Sequence, residues 1–267
     1  MKPVLKYPGA KWSLSKWIID HLPEHESYLE PYFGSGAVFF NKEPARIETI
    51  NDLDGEIVNF FKVCREQPEE LARAINLTPW ARQEVEKSCQ KAEDPVERAR
   101  RTAVCCHMIF GAKQRGKSFR HTTGKKKDGG PDHPKLWEGV PEIVLEAGKR
   151  LKNAQIENKP AVELIREYDG PEVLIYLDPP YVRDTRTLHG DQYRFEMSDQ
   201  EHEELLGAIV DHSGKIILSG YDNDLYNDVL KGWEKHSTKS QTERGKVREE
   251  TIWMNYQMYE QIAIFNL

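Results

Sequence analysis

The sequence is short of everything that would staple a fold covalently or seat it in a bilayer. Its 267 residues hold four cysteines, Cys64, Cys89, Cys105 and Cys106, and no C-x-x-C pair. That excludes a disulfide framework and the usual zinc ribbons, and a reducing cytosol is the simplest home. No apolar run approaches the roughly 18 residues of a membrane span. The opening MKPVLKYPGAKWSL has neither an apolar core nor a cleavage site, so no signal peptide is expected. Repeats and low-complexity tracts are missing too. What remains is 38 % hydrophobic and 31 % charged, the composition of a globular chain long enough for one large domain, or one domain with an insertion.

Basic charge is also in deficit, with a net −6, which taken alone argues mildly against a nucleic-acid partner. Residues 111–127, GAKQRGKSFRHTTGKKK, reverse that locally, with seven Lys or Arg and no acid. A solvated loop is the bland reading. The sharper one is a phosphate-contacting arm, in which each cation displaces condensed counterions.

Periodicity divides the chain into three stretches. Residues 27–31 read as a strand running into Gly34-Ser35-Gly36 and a short helix from Ala37 to Asn41. Residues 47–50 read as a second strand ending at Asn51-Asp52, and Gly55 to Cys64 has helical spacing. From about Pro68 to Lys152 the pattern is helical, with Pro68, Pro79, Pro95 and Pro134 at expected helix starts and the basic stripe in a long connection. Strand and helix then alternate again: 154–157, a helix over 161–168, a buried strand from Val173 to Leu177, a capping box at Ser198-Asp199-Gln200-Glu201, a helix to about His212, and a strand from Lys215 to Ser219. The tail, with Thr251 to Tyr256 and Gln261 to Phe265, suits an antiparallel edge. The expectation is an α/β fold, a doubly wound sheet interrupted by a helical insert. Residues 1–66 and 153–267 would form the sheet domain and 67–152 the insert.

Four pieces carry chemistry. The turn F-G-S-G puts Gly34 and Gly36 after a strand, and Asp52 lies 18 residues beyond Gly34 at the next strand's end. In nucleotide-binding α/β units an acid there takes ribose hydroxyls. Position 39 is Phe rather than a third glycine, which favours a single-nucleoside cofactor over a pyrophosphate. L-K-Y-P-G-A-K-W, residues 5–12, flanks a Pro-Gly turn with Tyr7 and Trp12. It is either a surface turn anchored by aromatics, or a lid that brings Tyr7 to a cofactor ring and Lys11 to something anionic or electron-rich.

The strand 173–177 breaks at Asp178-Pro179-Pro180-Tyr181, because neither proline has an N–H to continue a ladder. An exocyclic amino group on a nucleobase is a poor nucleophile, since its lone pair is delocalised into the ring. Two acceptors on its N–H bonds let the nitrogen pyramidalise. The Asp178 carboxylate and the Pro179 carbonyl can be that pair, with Pro180 stiffening the corner and Tyr181 offering a face for a base that has left the duplex. The bland reading is a strand terminator capped by Asp.

K-Y-P-G-A-K-W, E-P-Y-F-G-S-G, I-N-D-L-D and Y-L-D-P-P-Y, in that order, resemble the Dam-like S-adenosylmethionine-dependent DNA adenine-N6 methyltransferases, and most closely the phage and prophage enzymes among them. The resemblance implies a Rossmann-like, seven-stranded methyltransferase sheet with an inserted, mostly helical target-recognition domain. It implies S-adenosylmethionine as cofactor, with Tyr7, Lys11, Glu30, Gly34, Gly36, Asp52 and Asp178 against it. It implies Asp178, Pro179, Pro180 and Tyr181 as the catalytic corner, and double-stranded DNA as substrate in a bacterial cytosol or nucleoid, with no metal and a monomer sufficient. Lys113, Arg115, Lys117, Arg120, Lys125, Lys126, Lys127, Arg183 and Arg186 are the expected DNA contacts, with His189, Tyr193 and Arg194 bordering DNA in the loop from Val182 to Met197. The segment around Arg115 departs from the GATC-specific enzymes, so the site specificity does not carry over. Cytosine N4 is a rival acceptor, and a silent DNA-binding protein on the same scaffold is a rival of another class. Cys105-Cys106-His107 reads as core, Ser219 has no nucleophile elbow around it, and His202 in its acidic helix is expected to face solvent.

Overall fold

The computed structural model describes residues 1–109, 118–121, 132–182, 185, 194–241 and 247–258. Among these residues the elements run α1 (Ser15–Ile19), β1 (Ser27–Glu30), β2 (Ile47–Asn51), α2 (Gly55–Glu66), α3 (Pro68–Asn76), α4 (Arg82–Ser88), α5 (Pro95–Met108), α6 (His133–Glu138), α7 (Val140–Leu151), β3 (Gln155–Glu157), α8 (Ala161–Glu167), β4 (Val173–Leu177), α9 (Asp199–Ile209), β5 (Lys215–Gly220), α10 (Asp224–Val229), β6 (Glu234–Gln241) and β7 (Val247–Met254).

The strands form one seven-stranded sheet in the order β3-β2-β1-β4-β5-β7-β6. β2, β1, β4 and β5 are parallel, and β7 runs antiparallel to both β5 and β6. This is the mixed α/β sheet with flanking helices that the alternating pattern predicts. The chain winds outward from β1 in one direction and from β4 in the other, so the strand order reverses between β1 and β4. Ligands of open α/β sheets gather at such a reversal, beyond the carboxyl ends of the strands.

Side chains on parallel strands alternate between faces, and the register sorts them. Leu29, Ile175, Leu177, Ile216, Leu218 and Trp253 share one face and pack with Leu164 and Ile165 of α8 and Leu205, Leu206 and Ile209 of α9. His202 falls on that same stripe, at positions 202, 205, 206 and 209 of α9, and this corrects the expectation that it faces solvent. It is fully buried, with Nδ1 bonded to the Tyr226 hydroxyl at 2.9 Å. Its acidic neighbours in sequence hid the helical period. The opposite face carries Tyr28, Glu30, Tyr176 and Ser219.

The chain divides into two compact units. The sheet unit comprises Lys11–Leu53, Glu157–Asp191 and Phe195–Leu267, and the helical unit Met1–Ala10, Asp54–Ile156 and Gln192–Arg194. α2, assigned from sequence to the sheet domain, lies in the helical unit. It packs on α5 and α7 and buries Ile57, Phe60, Phe61 and Cys64, and a Cβ on Gly148 of α7 would meet the Cys64 carbonyl at 2.3 Å. Asp54 and Asp94 cap α2 and α5 by accepting the N–H of Glu56 and Glu97. Pro68, Pro95 and Pro134 do sit in first helical turns, whereas Pro79 precedes α4 and Ala81 is its N-cap.

Two local expectations change. Residues 37–41 form hydrogen-bonded turns rather than a helix. Gly36 enters them with φ 67°, and Phe40 N and Lys42 N bond Gly36 O and Val38 O without a continuous ladder. The tail forms a hairpin of β6 and β7, with β7 starting before Thr251 and ending at Met254; Gln261–Phe265 lies outside the described residues. β6, EKHSTKSQ, is polar and cationic, as an edge strand exposed to water should be. No described helix is long and apolar enough to cross a membrane.

Candidate active site

The polar face of the sheet ends in a cluster of charged groups. β4 pairs with β5 through Leu177 and Leu218, so the next pair in that register is Asp178 and Ser219. Ser219 Oγ donates to Asp178 Oδ1 at 3.0 Å and shares a 3.1 Å bond with the Tyr176 hydroxyl. Lys11 Nζ donates to the same Oδ1 at 2.6 Å and also to the Tyr181 hydroxyl oxygen. The Tyr181 hydroxyl donates in turn to Glu250 of β7, at 3.0 Å to Oε2 and 3.3 Å to Oε1. All these groups belong to the sheet unit.

The N-terminal K-W pair is held in place from the glycine turn. Trp12 Nε1 donates to Ser35 Oγ at 2.9 Å, and the Trp12 ring stacks on Phe40 at 6.4 Å. That anchoring aims Lys11, only 4 % exposed, at the Asp178 corner. Gly34 and Gly36 have φ 51° and 67°, the left-handed region that favours glycine. The Gly34 N–H donates to Asp52 Oδ2 at 2.8 Å, so the two parts of the expected nucleoside site are joined directly. Tyr7, Pro8, Gly9 and Ala10 form a turn closed by Ala10 N to Tyr7 O at 3.3 Å, with φ 73° at Gly9, as a type II turn requires. Tyr7 belongs to the helical unit.

Burial shapes the acids. Glu30 is pushed up to about 8, chiefly by burial, and the Tyr28 hydroxyl at 2.7 Å and the charge of Asp178 act in opposite senses on it. Glu250 is also raised by burial, with the Lys11 ammonium pulling it back down.

Tyr181, expected to offer a face to the base, has its ring packed among neighbouring side chains. It is 8 % exposed, its centroid lies 4.3 Å from that of Tyr221, and Lys11 Nζ stands 4.7 Å over the ring. Tyr221 is itself half-buried, with the Arg248 guanidinium 4.9 Å from its centroid. Sequence alone does not single out Tyr221 and Glu250, and weighs Ser219 only as a nucleophile, because these residues meet Asp178 and Tyr181 only across strand pairings; the polar Ser219 directly after the apolar run Ile216-Ile217-Leu218 is the available signal.

Of the expected DNA contacts, Lys113, Arg115, Lys117, Lys125, Lys126, Lys127, Arg183 and Arg186, together with His189 and Tyr193, lie outside the described residues. Arg120 is 5 % exposed, where a phosphate contact calls for an open side chain. Its Nε donates to Ile109 O at 3.0 Å, its N–H bonds Met108 O at 2.7 Å, and its carbonyl accepts from Trp80 Nε1 at 2.9 Å. With the antiparallel bridge from Ile109 to Phe119 it closes the base of the segment between them. Arg194 Nη1 donates to Asp54 Oδ1 at 2.9 Å. Cys105, Cys106 and His107 are buried, and His107 Nε2 bonds Val4 O at 2.9 Å. Among the described residues no group of His, Cys, Asp and Glu is arranged to hold a metal.

Residues 7–244 match the family model described as D12 class N6 adenine-specific DNA methyltransferase. The chain is 25 % identical to the type II methyltransferase M1.LlaDCHI of Lactococcus lactis subsp. cremoris, over 96 % of each chain. It is 24 % identical to the type II methyltransferase M.MjaIII of Methanocaldococcus jannaschii, over 87 % of this chain and 89 % of that one. It is 22 % identical to the DNA adenine methylase of Escherichia coli K12, over 88 % of this chain and 86 % of that one. With the family match covering most of its length and the D-P-P-Y corner at the sheet's switch point, the chain belongs to the D12 class N6 adenine-specific DNA methyltransferases and methylates the N6 amino group of adenine in DNA.

Proposed function

We propose that the enzyme is a site-specific methyltransferase that takes its methyl group from S-adenosylmethionine and modifies an adenine swung out of double-stranded DNA. The carrying observation is the Lys11 ammonium donating to Asp178 Oδ1 at 2.6 Å. A nitrogen with N–H bonds already sits against the acceptor that an adenine amino group needs. Lys11 is thus read as holding the Asp178 carboxylate and the Tyr181 hydroxyl in place as the base enters, with the other carboxylate oxygen left for that amino group.

The residues fit a cationic nucleoside donor. Carboxylates suit both a sulfonium and ribose hydroxyls, and Asp52, Glu30 and Asp178 supply them at or just beyond the ends of β2, β1 and β4. The Gly34-Ser35-Gly36 turn lets the chain pass close beneath, and Tyr7 is proposed as a further contact. S-adenosylmethionine, when bound, supplies the electrophilic methyl carbon. Asp178 and the Pro179 carbonyl accept the two N–H bonds of adenine N6, so that its lone pair faces that carbon, and Pro180 keeps the carbonyl's direction. The amino nitrogen would gain the methyl in one direct displacement as the methyl–sulfur bond breaks and S-adenosylhomocysteine leaves, with no covalent enzyme intermediate, and the surplus proton on nitrogen would pass to solvent. Tyr181 bounds the base.

The helical unit is proposed as the target-recognition part. Its basic segment and the loop after D-P-P-Y would hold the phosphate backbone, while Arg120 anchors where the segment leaves the helices. The enzyme is proposed to act on DNA in the cytosol or nucleoid, and as a monomer.

The test is methyl transfer from labelled S-adenosylmethionine to duplex DNA, with digestion and mass spectrometry of the bases and a fluorescent 2-aminopurine at the target position. Wild type yields N6-methyladenine and a fluorescence rise on binding. Asp178→Ala abolishes transfer while DNA binding persists. Transfer by Asp178→Ala at the wild-type rate would end this reading.

A further inference from the structure

Glu250 belongs to no motif of the sequence, yet it touches the D-P-P-Y corner. The antiparallel register of β5 and β7 sets Ser219 opposite Ile252 and Gly220 opposite Thr251. The next pair is Tyr221 and Glu250, so the strand pairing delivers a carboxylate to the carboxyl end of β5. Glu250 is 7 % exposed. A buried carboxylate is costly unless something donates to it, and here the donor is the Tyr181 hydroxyl, at 3.0 Å to Oε2 and 3.3 Å to Oε1.

A phenol hydroxyl has one hydrogen to give. With that hydrogen committed to Glu250, the oxygen's lone pairs are left for donors, and Lys11 Nζ donates to this oxygen. Lys11 then donates to Asp178 Oδ1 at 2.6 Å. The result is an ordered relay of hydrogen bonds, Asp178 to Lys11 to Tyr181 to Glu250, drawn from the N-terminal segment, the β4 corner and β7. Remove the carboxylate and the hydroxyl loses its reason to point away from Lys11, so both the ring and the ammonium lose their fixed orientation.

We propose that Glu250 is a positioning residue for adenine methylation, which by holding the Tyr181 hydroxyl as a donor keeps the Tyr181 ring and the Lys11 ammonium in register with Asp178. The inference rests on the reading of Asp178 as the acceptor for the target amino group. Glu250 touches neither substrate nor donor in this scheme, and acts through Tyr181.

The experiment is steady-state methylation of duplex DNA by the full-length Glu250→Ala, Glu250→Gln, Tyr181→Phe and Glu250→Ala/Tyr181→Phe proteins, beside wild type and Asp178→Ala. Loss of a buried hydrogen bond to a charged group should lower kcat of Glu250→Ala by about 10- to 100-fold. KM for DNA and for S-adenosylmethionine should stay within about 3-fold, which a general loss of structure would not respect. Glu250→Gln keeps an oxygen that accepts from the hydroxyl and should recover most of kcat. Because both single variants cut the same bond, the double variant should be no slower than the slower single one. Wild-type kcat in Glu250→Ala, no rescue by Gln, or losses that multiply in the double variant would each overturn the proposal. Should Glu250→Ala fail to fold, Glu250→Gln on the Tyr181→Phe background still decides: the proposal requires no further change in kcat there, and a further loss refutes it. Transfer by Asp178→Ala strikes at the underlying reading. A dead Asp178→Ala beside fully active Glu250 variants strikes at this inference alone.

Discussion

Lys11 and Asp178, 167 residues apart in the chain, form an ion pair of 2.6 Å at the carboxyl end of β4. The ammonium also donates to Tyr181, so one side chain from the N-terminal segment ties together the acid and the ring of the D-P-P-Y corner. Lys11→Met should therefore lower kcat/KM for methyl transfer by roughly 100-fold, the size of a lost charge-assisted bond in a buried site. Lys11→Arg should not restore it, because a planar fork does not fit where a compact, nearly buried ammonium stood. Single-turnover methylation of DNA measures both; full activity of Lys11→Arg would contradict the placement of the charge.

Gly36 holds φ 67°, and a Cβ there would come within 2.4 Å of Phe33 Cζ and 2.8 Å of Phe40 Cε2. Gly36→Ala should cost about 1–3 kcal/mol of folding stability, from the strained backbone together with the crowded rings. Denaturant unfolding measures the loss, and S-adenosylmethionine binding by calorimetry should weaken in parallel because the turn is displaced.

Gly148→Ala tests the helical unit separately. Its Cβ would lie 2.3 Å from the Cys64 carbonyl oxygen and 3.1 Å from Pro68 Cβ, so α7 must move off α2. A comparable destabilisation of about 1–3 kcal/mol is expected, and hydrogen exchange should place the added opening in α2 and α7 rather than in β1, β4 and β5.

Acid should weaken the helical unit in two stages. Burial pushes His107 down to about 4 from 6.5, so the folded form binds fewer protons than the unfolded one between those values. Its contribution is complete above 6.5 and lost as pH falls through 4. Glu97 is held at about 2 against an ordinary 4.5, chiefly by its hydrogen bond to Arg100. That contribution is present above 4.5 and lost as pH falls toward 2. The Glu97 carboxylate is 32 % exposed, so salt should shrink the second stage. Unfolding midpoints measured from pH 8 to pH 3, with Glu97→Gln flattening the lower stage, check both signs.

Glu30, at about 8, is mostly protonated at neutral pH before anything binds. A cationic donor beside it favours the carboxylate, so binding of S-adenosylmethionine at pH 7 should release a fraction of a proton. Calorimetry in buffers of different ionisation enthalpy reads that proton directly. Glu30→Gln should abolish the buffer dependence, and affinity for wild type should rise as pH climbs toward 8.

Much of the sheet unit was legible because its signals are local. Val173–Leu177 is a strand with the predicted bounds, since five apolar residues meet two prolines. The capping box at Ser198 forms, since Ser198 and Glu201 satisfy each other's N–H groups. Gly34 and Asp52 join because a strand, a glycine turn and a second strand bring position 34 back to 52. His202 was misread because three acidic neighbours outweighed its place on the period 202, 205, 206, 209. Arg120 looked like one more cation in a basic stripe, and nothing local marks which cation of a run will fold inward. The packing around Tyr181 is hidden in the sequence for a related reason: Tyr221 and Lys11, which lie against the ring, come from distant segments.

Short-range chemistry in the sequence was enough to determine strand ends, helix caps, the left-handed glycines and the acid-proline corner, because each depends on a few neighbouring residues and their backbone limits. Which groups surround Asp178 was decided only when β1, β4, β5 and β7 paired. Ser219 and Glu250 stand far along the chain from Asp178 and Tyr181, and strand register, set by burying one face of the sheet, is what turns such distances into hydrogen bonds, while Lys11 is brought in by Trp12 on the glycine turn.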